Sequence, residues 1–282
     1  MSSTPAKLGL IAGQGRLPII VAQGMKAAGA AVCCVGLRDQ YDPELPGLCD
    51  QFRGAGIVQI GRWIRILRRA GVAQAVMVGR VAKLRMHDPL RLFRQLPDWR
   101  AVNIWYRRLR HDRRNAALLA AVADELAANG ITLIDSTTFI PDHLATPGPM
   151  GSIEPNDRQR ADVAFGWPLL EQIVNLDIGQ AIAVRDRDVI AVEAVEGTDS
   201  LIERAGRLCK ARGWTLLKSA SGRHDMRADV PTIGVDTIEK LAAAGGRCVA
   251  LGVGKVILID KLQVIEAADR KKVALLGVRS PT

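Results

Sequence analysis

The chain has 282 residues, of which 48% are hydrophobic, and this composition excludes an intrinsically disordered protein. No apolar run reaches the roughly 18 to 20 residues that a membrane-spanning helix needs. The five cysteines form no Cys-x-x-Cys pair, which argues against a disulfide framework or a zinc site. The N-terminal residues lack the pattern of a signal peptide, so we expect a cytoplasmic protein with one large domain or two medium ones.

The formal net charge of +10 comes largely from arginines crowded into residues 62–114, with aromatic side chains such as Trp63 and Trp99 between them. Three interpretations stay open: solvent-exposed helix faces, attraction to a phosphate-bearing substrate or an anionic membrane surface, and nucleic-acid binding. The region contains no recognition-helix, RRM or zinc-finger signature, so we expect no nucleic-acid partner.

The first predicted strand, Lys7–Ala12, runs into a glycine turn that a helix over residues 19–28 follows. Such a turn can bind an anion, because free N–H groups and the positive end of the helix dipole face outward. Pro18 stands where the third glycine of a GxGxxG fingerprint would be, and no Walker A motif is present. An ordinary turn and a phosphate or sugar-nucleotide contact both remain open. The candidate binding residues are Ala12, Gly13, Gln14, Gly15 and Arg16.

Alternating apolar strands and helices continue through the first half of the chain. We predict strands over residues 30–37, 57–61, 75–78 and 131–134, and helices over 62–70 and 115–129. Uniformly apolar strands are typical of a parallel sheet covered on both faces, so we predict an α/β domain with a mostly parallel, Rossmann-like sheet. Ligands bind at the carboxyl ends of such strands, which adds Gly79 and Arg80 to the substrate-binding candidates.

The regular pattern ends in a proline- and glycine-rich segment, residues 139–163, which we predict to be an interdomain linker. A linker that crosses a cleft can also cover a substrate, and that alternative stays open. The predicted domains are therefore an α/β domain over residues 1–138 and an α+β domain over residues 164–282.

The second half changes to a mixed pattern. We predict a hairpin over residues 180–184 and 189–195, a helix capped by Thr198 or Asp199, and a strand over residues 214–217. A helix over 237–244, a strand over 248–251, a second hairpin over 256–260 and 263–265, and a helix over 267–276 complete the prediction.

A long loop with dense mixed charge follows the strand over residues 214–217. It is either a solvated turn or an active-site loop, since binding groups concentrate on loops held by a rigid scaffold. Carboxylates without clustered His or Cys suit Mg²⁺ or Mn²⁺ better than zinc, and cations there could neutralise phosphoryl charge. We interpret Glu193 as a solvent-facing hairpin residue, and we expect no Ser-His-Asp triad around His224.

Three motifs together resemble one known family. They are residues 9–18, the stretch Glu193-Ala-Val-Glu-Gly-Thr-Asp199, and the loop over residues 218–234. The chain resembles the UDP-2,3-diacylglucosamine diphosphatases of lipid A biosynthesis, of the type unrelated to calcineurin-like phosphoesterases. Asp225 matches the family's most telling acidic position, within its Asp-x-Arg-x-Asp-x-Pro pattern, whereas His224 stands where the family has Gln.

The resemblance implies hydrolysis of UDP-2,3-diacylglucosamine to UMP and 2,3-diacylglucosamine 1-phosphate (lipid X), with Mg²⁺ required. It also implies two domains with the lipid substrate between them, and a homodimer. The basic, aromatic-rich region 62–114 then has a reason, because an anionic, membrane-resident substrate would place the enzyme at the anionic inner-membrane surface. Water attack on the sugar-side phosphorus is the expected course. A transferase that uses the same sugar nucleotide and a non-catalytic sugar-nucleotide sensor are the alternatives.

The expected site residues fall into three groups. The catalytic candidates are Asp225, Lys218 and Arg227. The substrate-binding candidates are Ala12, Gly13, Gln14, Gly15, Arg16, Gly79, Arg80, Thr198, Asp199 and Arg223. The metal-ligand candidates are Asp225, Asp229, Asp199 and Glu196, for Mg²⁺ or alternatively Mn²⁺.

Overall fold

A computed structural model describes residues 5–81, 97–104, 106, 110, 115–221 and 230–279 of the chain. The described residues divide into two compact units, one that ends at Ile140 and one that begins at Pro141. None of the helices in these ranges has both the length and the apolar character that a membrane crossing requires.

The first unit is an α/β structure built on a five-stranded parallel sheet. Its strands follow the order β3-β2-β1-β4-β5, so that the chain winds outward from β1 in one direction and then returns to β1 to place β4 on its other side. This confirms the predicted mostly parallel, Rossmann-like sheet. The strands are β1 (Lys7–Ala12), β2 (Ala31–Leu37), β3 (Gln51–Ala55), β4 (Gln74–Val78) and β5 (Thr132–Leu133).

The helices of this unit bury apolar side chains against the rest of the unit. They are α1 (Leu17–Ala27), α2 (Leu45–Leu48), α3 (Ile60–Arg69), α4 (Trp99–Ile104) and α5 (Asn115–Ala127). In α3 the buried side chains of Ile60, Trp63, Ile64 and Leu67 recur at helical spacing, whereas its arginines face outward.

The predicted strand over residues 57–61 is wrong. Strand β3 ends at Ala55, and Ile60 already begins α3. The turn between them is fixed by side chains, since Gln59 Oε1 accepts from Gly56 N at 3.0 Å and Trp63 Nε1 donates to Gly56 O at 2.9 Å. The edge strand β3 escaped prediction because only Ala55 in it is buried.

The second unit is an α+β structure on a six-stranded mixed sheet of order β6-β13-β11-β9-β7-β8, which confirms the predicted class. Strands β9, β11 and β13 are parallel, while β7 is antiparallel to both β8 and β9. The strands are β6 (Gly148–Pro149), β7 (Ala181–Arg185), β8 (Asp188–Val192), β9 (Trp214–Lys218), β10 (Thr232–Ile233), β11 (Gly246–Gly252), β12 (Ile257–Leu258) and β13 (Ala274–Val278). The helices are α6 (Asp157–Asn175), α7 (Thr198–Leu208), α8 (Val235–Ala243) and α9 (Lys261–Arg270).

The first predicted hairpin is confirmed as β7 and β8, but the second is wrong. Strand β12 pairs with β10 in parallel, and residues 263–265 lie in α9. The helix predicted over 267–276 is also wrong, since α9 ends at Arg270 and β13 begins at Ala274. The buried apolar residues of this helix are Val264, Ala267 and Ala268. They recur at helical spacing, which favours a helix over the predicted strand at residues 263–265.

The segment predicted as a linker, residues 139–163, carries structure of its own. It contains a 3₁₀ turn at Pro141–His143 and the short strand β6. Its last seven residues belong to α6, which begins at Asp157. A capping box fixes that start, because Asn156 Oδ1 accepts from Gln159 N at 3.0 Å and Gln159 Oε1 accepts from Asn156 N at 2.9 Å.

Candidate functional site

The turns that follow β1 and β4 lie side by side at the carboxyl edge of the first sheet. Gly13 N donates to Val78 O at 2.8 Å, and Gln14 and Arg80 exchange two backbone hydrogen bonds of 2.8 and 2.9 Å. This is the position where the strand order reverses, and open α/β sheets bind ligands at such a crevice. The structure therefore brings the candidate residues 12–16 and 79–80 together.

The glycines in these two turns have a structural reason. A Cβ atom on Gly13 would lie 2.7 Å from Arg80 O, and one on Gly79, where φ is +99°, would lie 2.7 Å from Gly13 C. Only glycine permits such close contact between the two backbones. The close approach explains Gly13 and Gly79 without a ligand, whereas Gly15 faces open space with φ of +104°.

The start of α1 offers an anion fewer donors than a typical helix N-terminus. Pro18 has no N–H group, and Ile19 N already donates to Arg16 O at 3.1 Å. The positive charge at this edge comes instead from the exposed side chains of Arg16 and Arg80. Arg16 also forms an exposed ion pair of 3.4 Å with Glu44, which solvent screens.

In the second unit, a buried lysine lies at the carboxyl end of β9. Lys218 is the last residue of that strand and is 3% exposed. Its Nζ donates to Thr198 Oγ1 at 2.6 Å, and Thr198 Oγ1 donates to Glu193 Oε1 at 2.9 Å. The second carboxylate oxygen, Glu193 Oε2, lies 3.7 Å from Lys218 Nζ. A buried cation is thus held and compensated by a hydroxyl and a carboxylate.

The topology of the sheet brings these three residues together. Strands β8 and β9 run in the same direction on either side of β7, so both of their carboxyl ends reach one edge. Glu193 directly follows β8, and its N–H donates to Ala181 O at 2.8 Å. Helix α7 then begins at this edge with Thr198, after Gly197 with φ of +82°.

Two expectations about these residues are wrong. Glu193 is not a solvent-facing hairpin residue, since it is 7% exposed and faces Lys218. Neither Thr198 nor Asp199 caps α7; Gly197 occupies the cap position without a side-chain bond. The sequence signalled only that some anionic partner was needed, because a lysine that ends an apolar strand requires one when it is buried.

The metal-ligand candidates Glu196 and Asp199 already have cationic partners. Glu196 Oε1 lies 2.9 Å from Arg204 Nη2, and the exposed Asp199 pairs with Lys240. The hydrogen bond from Lys240 to Asp199 raises the pKa of the lysine. Within the described ranges, His, Cys, Asp and Glu side chains form no group of three that could hold a metal ion. In the structure both carboxylates are thus engaged in ion pairs.

The other loop candidates, Arg223, His224, Asp225, Arg227 and Asp229, lie outside the described residues. The start of the loop is described. Ser219 N donates to Gln180 O at 3.0 Å, and Ser221 Oγ donates to Asn175 Oδ1 at 2.7 Å. The described start of the loop, residues 219–221, therefore follows directly from Lys218 and is held by Gln180 and Asn175.

Comparison with known proteins covers nearly the whole chain. Residues 7–143 match the LpxI N-terminal domain, and residues 146–276 match the LpxI C-terminal domain. A relative from Caulobacter vibrioides, the UDP-2,3-diacylglucosamine pyrophosphatase LpxI, is 33% identical to this chain. The alignment has a length of 282 residues with its gaps and covers 96% of this chain and 97% of the relative. The resemblance that the sequence motifs indicated is confirmed: the chain belongs to the LpxI family.

Proposed function

We propose that this chain hydrolyses the diphosphate of UDP-2,3-diacylglucosamine to UMP and 2,3-diacylglucosamine 1-phosphate. The observation that carries the proposal is the full-length similarity to a UDP-2,3-diacylglucosamine pyrophosphatase, at 33% identity over 96% of the chain. The buried Lys218 at a sheet edge supports it, since hydrolysis of a diphosphate needs fixed positive charge where negative charge develops.

Lys218 is proposed to stabilise the charge on the reacting phosphate. Its hydrogen bond to Thr198 and its ion pair with Glu193 fix the position of Nζ, so little reorganisation is needed when the substrate arrives. We assign to Asp225, seven positions after Lys218, the role of orienting the attacking water. Arg223 and Arg227 are proposed as further cations that stabilise phosphate charge. Attack on the sugar-side phosphorus would leave UMP as the departing group.

A requirement for Mg²⁺ is part of the proposal. Bound Mg²⁺ would neutralise diphosphate charge, and it is usually held by one or two carboxylates with the substrate phosphates. Because Glu196 and Asp199 are paired with Arg204 and Lys240, we assign Asp225 and Asp229 as the protein ligands.

The nucleotide is assigned to the crevice between the turns after β1 and β4. Support comes from its location at the reversal of strand order and from the exposed Arg16 and Arg80 beside it. A substrate with two acyl chains resides in a membrane, so we propose peripheral work at the inner-membrane surface. We also propose a homodimer, which light scattering of the purified protein would test.

The direct test is incubation with UDP-2,3-diacylglucosamine in ¹⁸O-labelled water, with and without Mg²⁺, followed by mass analysis. We expect UMP and labelled 2,3-diacylglucosamine 1-phosphate, and only with Mg²⁺. Products without the label would indicate a transferase. Binding without turnover would indicate a sensor. Label in UMP instead would move the attack to the uridine-side phosphorus.

A further inference from the structure

The outer face of α3 in the first unit carries an excess of positive charge. Arg62, Arg65, Arg68 and Arg69 are all exposed, and α3 contains no acidic residue. Arg68 and Arg69 in the last turn interact favourably with the helix dipole, but like charges three and four residues apart repel, so the stability of α3 does not explain all four arginines. No carboxylate in the described part of the chain pairs with any of the four.

An open groove lies between this face and α4. Its volume is about 610 Å³, and it is lined by Arg65, Arg68, Arg69, Trp99 and Arg100, among others. The acidic side chain in its wall is already in use. Asp98 Oδ2 accepts from Gly61 N at 2.6 Å, and its Oδ1 accepts from Ala101 N at 3.0 Å. Asp98 thus bridges the first turns of α3 and α4. Its single negative charge is outnumbered by Arg65, Arg68 and Arg69 around the groove.

The groove has an apolar rim. The side chain of Trp99 is 81% exposed, and that of Val102, one turn further along α4, is 40% exposed. Neighbouring exposed apolar side chains rimmed by polar groups are typical of an interaction surface. The same combination suits the interface of an anionic bilayer, where tryptophan rings settle at headgroup level and arginines attract phosphate groups.

We propose that the outer face of α3 and the exposed side of α4 form the surface by which this protein docks on an anionic phospholipid membrane. The inference rests on the proposed function in one respect: a lipid substrate explains why the protein needs such a surface. The contacts would be Arg65, Arg68 and Arg69 to headgroup phosphates, with Trp99 inserted between the headgroups. A single anionic lipid in the groove would not explain the exposed ring at its rim.

The test is sedimentation of the full chain with vesicles of phosphatidylcholine alone and with 30% phosphatidylglycerol. We expect binding only to the anionic vesicles, and weaker binding in 0.5 M salt. The triple variant Arg65→Gln, Arg68→Gln, Arg69→Gln should lower the apparent partition coefficient about a hundredfold, at about fivefold for each charge. Trp99→Ala should weaken binding at high salt as well, because the ring contributes through insertion.

A matched control removes the same charge elsewhere. Arg207→Gln, Lys210→Gln, Lys271→Gln takes three exposed cations from the second unit and should bind vesicles within about threefold of the wild type. The triple Arg→Lys variant at α3 should keep most of the binding. Circular dichroism checks that each variant is folded.

Two outcomes would overturn the docking surface: equal losses in both charge-removal variants, or α3-dependent binding to duplex nucleic acid with no vesicle binding. Activity is measured separately on substrate in detergent micelles. There the α3 variant should turn over normally, so a failure of vesicle binding is distinguishable from a failure of the proposed reaction.

Discussion

Lys218 and Glu193 form a buried ion pair at the edge of the second sheet, with Nζ 3.7 Å from Oε2 and the Thr198 hydroxyl bonded to both side chains. Two buried charges are rarely a net source of stability, because desolvation offsets their attraction. Glu193 Oε2 lacks a hydrogen-bond partner within the described residues, so the pair is not optimised for stability either. Its role is better explained by the position it gives to the lysine.

We therefore predict that Glu193→Gln lowers both stability and turnover. Gln keeps an oxygen for the Thr198 hydroxyl but removes the negative charge that lies 3.7 Å from Lys218 Nζ, which should cost about 3 kcal/mol in urea unfolding. Turnover should fall at least tenfold while KM changes little, because the side chain acts through Lys218. The control Glu196→Gln breaks a partly exposed pair with Arg204 and should cost under about 1 kcal/mol.

A double variant separates the catalytic role from the structural one. Lys218→Met together with Glu193→Gln removes both charges and should recover most of the lost stability. Turnover should be abolished, because Lys218, the cation at the end of β9, is removed. If the double variant regains activity along with stability, Lys218 has only a structural role.

A second prediction concerns the metal. Asp225→Ala should abolish turnover and leave substrate binding largely intact, since we assign it to the reacting groups and not to the nucleotide. Asp199→Asn should leave the Mg²⁺ concentration for half-maximal activity unchanged, because Lys240 already pairs with Asp199. Titration of activity with Mg²⁺ measures both. A large rise in that concentration for Asp199→Asn would place Asp199 among the ligands after all.

The third prediction concerns the crossing turns of the first sheet. Gly13→Ala should destabilise the protein by about 1–3 kcal/mol, because its Cβ would lie 2.7 Å from Arg80 O and the backbone must move. Gly54→Ala in β3 is the control, since a Cβ there meets nothing within 4 Å. Denaturant midpoints compare the two variants. Equal stability would show that the turns after β1 and β4 move apart easily.

Much of this fold could be predicted from the sequence, because its central strands are buried on both faces. Strands β1, β2 and β4 are almost continuous apolar runs, and such runs indicate a parallel sheet. A glycine directly follows β1 and β4. Edge elements gave weaker signals. Strand β3 has one buried residue, and β12 pairs with β10, which no local pattern reveals.

In the candidate site, only residues whose type and local sequence position indicate a function could be predicted. Lys218 stood out because it ends an apolar strand and begins a charged loop. Its partner Glu193 did not, because a long stretch of chain separates the two and only the antiparallel strand β7 brings their strand ends together. Non-local pairing of this kind depends on topology, and a single sequence does not specify it directly.

The fourth prediction follows from a second buried carboxylate. Asp162 in α6 is fully buried; its Oδ1 accepts from Arg187 N at 2.8 Å, and its Oδ2 has no partner among the described residues. Burial raises the pKa of this carboxyl, the bond from Arg187 N opposes the rise, and Asp186 adds to it. The folded protein therefore keeps a proton on Asp162 at a pH where the unfolded chain has lost it.

The sign of the pH dependence follows from linkage. Between the ordinary Asp pKa of about 3.9 and the raised value, the native state binds more protons, so stability falls as the pH rises. Asp162→Asn removes this loss and keeps an oxygen for Arg187 N. Its Tm should exceed that of the wild type at pH 8, by about 2–4 °C for each kcal/mol gained, and the difference should shrink towards pH 4.

The control lies in the same helix. Asp157→Asn removes an exposed acid from the first turn of α6, where it interacts favourably with the helix dipole, and should lower stability by about 0.3–1 kcal/mol at pH 8. Calorimetric scans at pH 4, 6 and 8 compare the three proteins. If Asp162→Asn is less stable than the wild type at pH 8, the ionised carboxylate contributes to the fold. Its attraction to the nearby Arg158 and Arg185 would then exceed the cost of burying the charge.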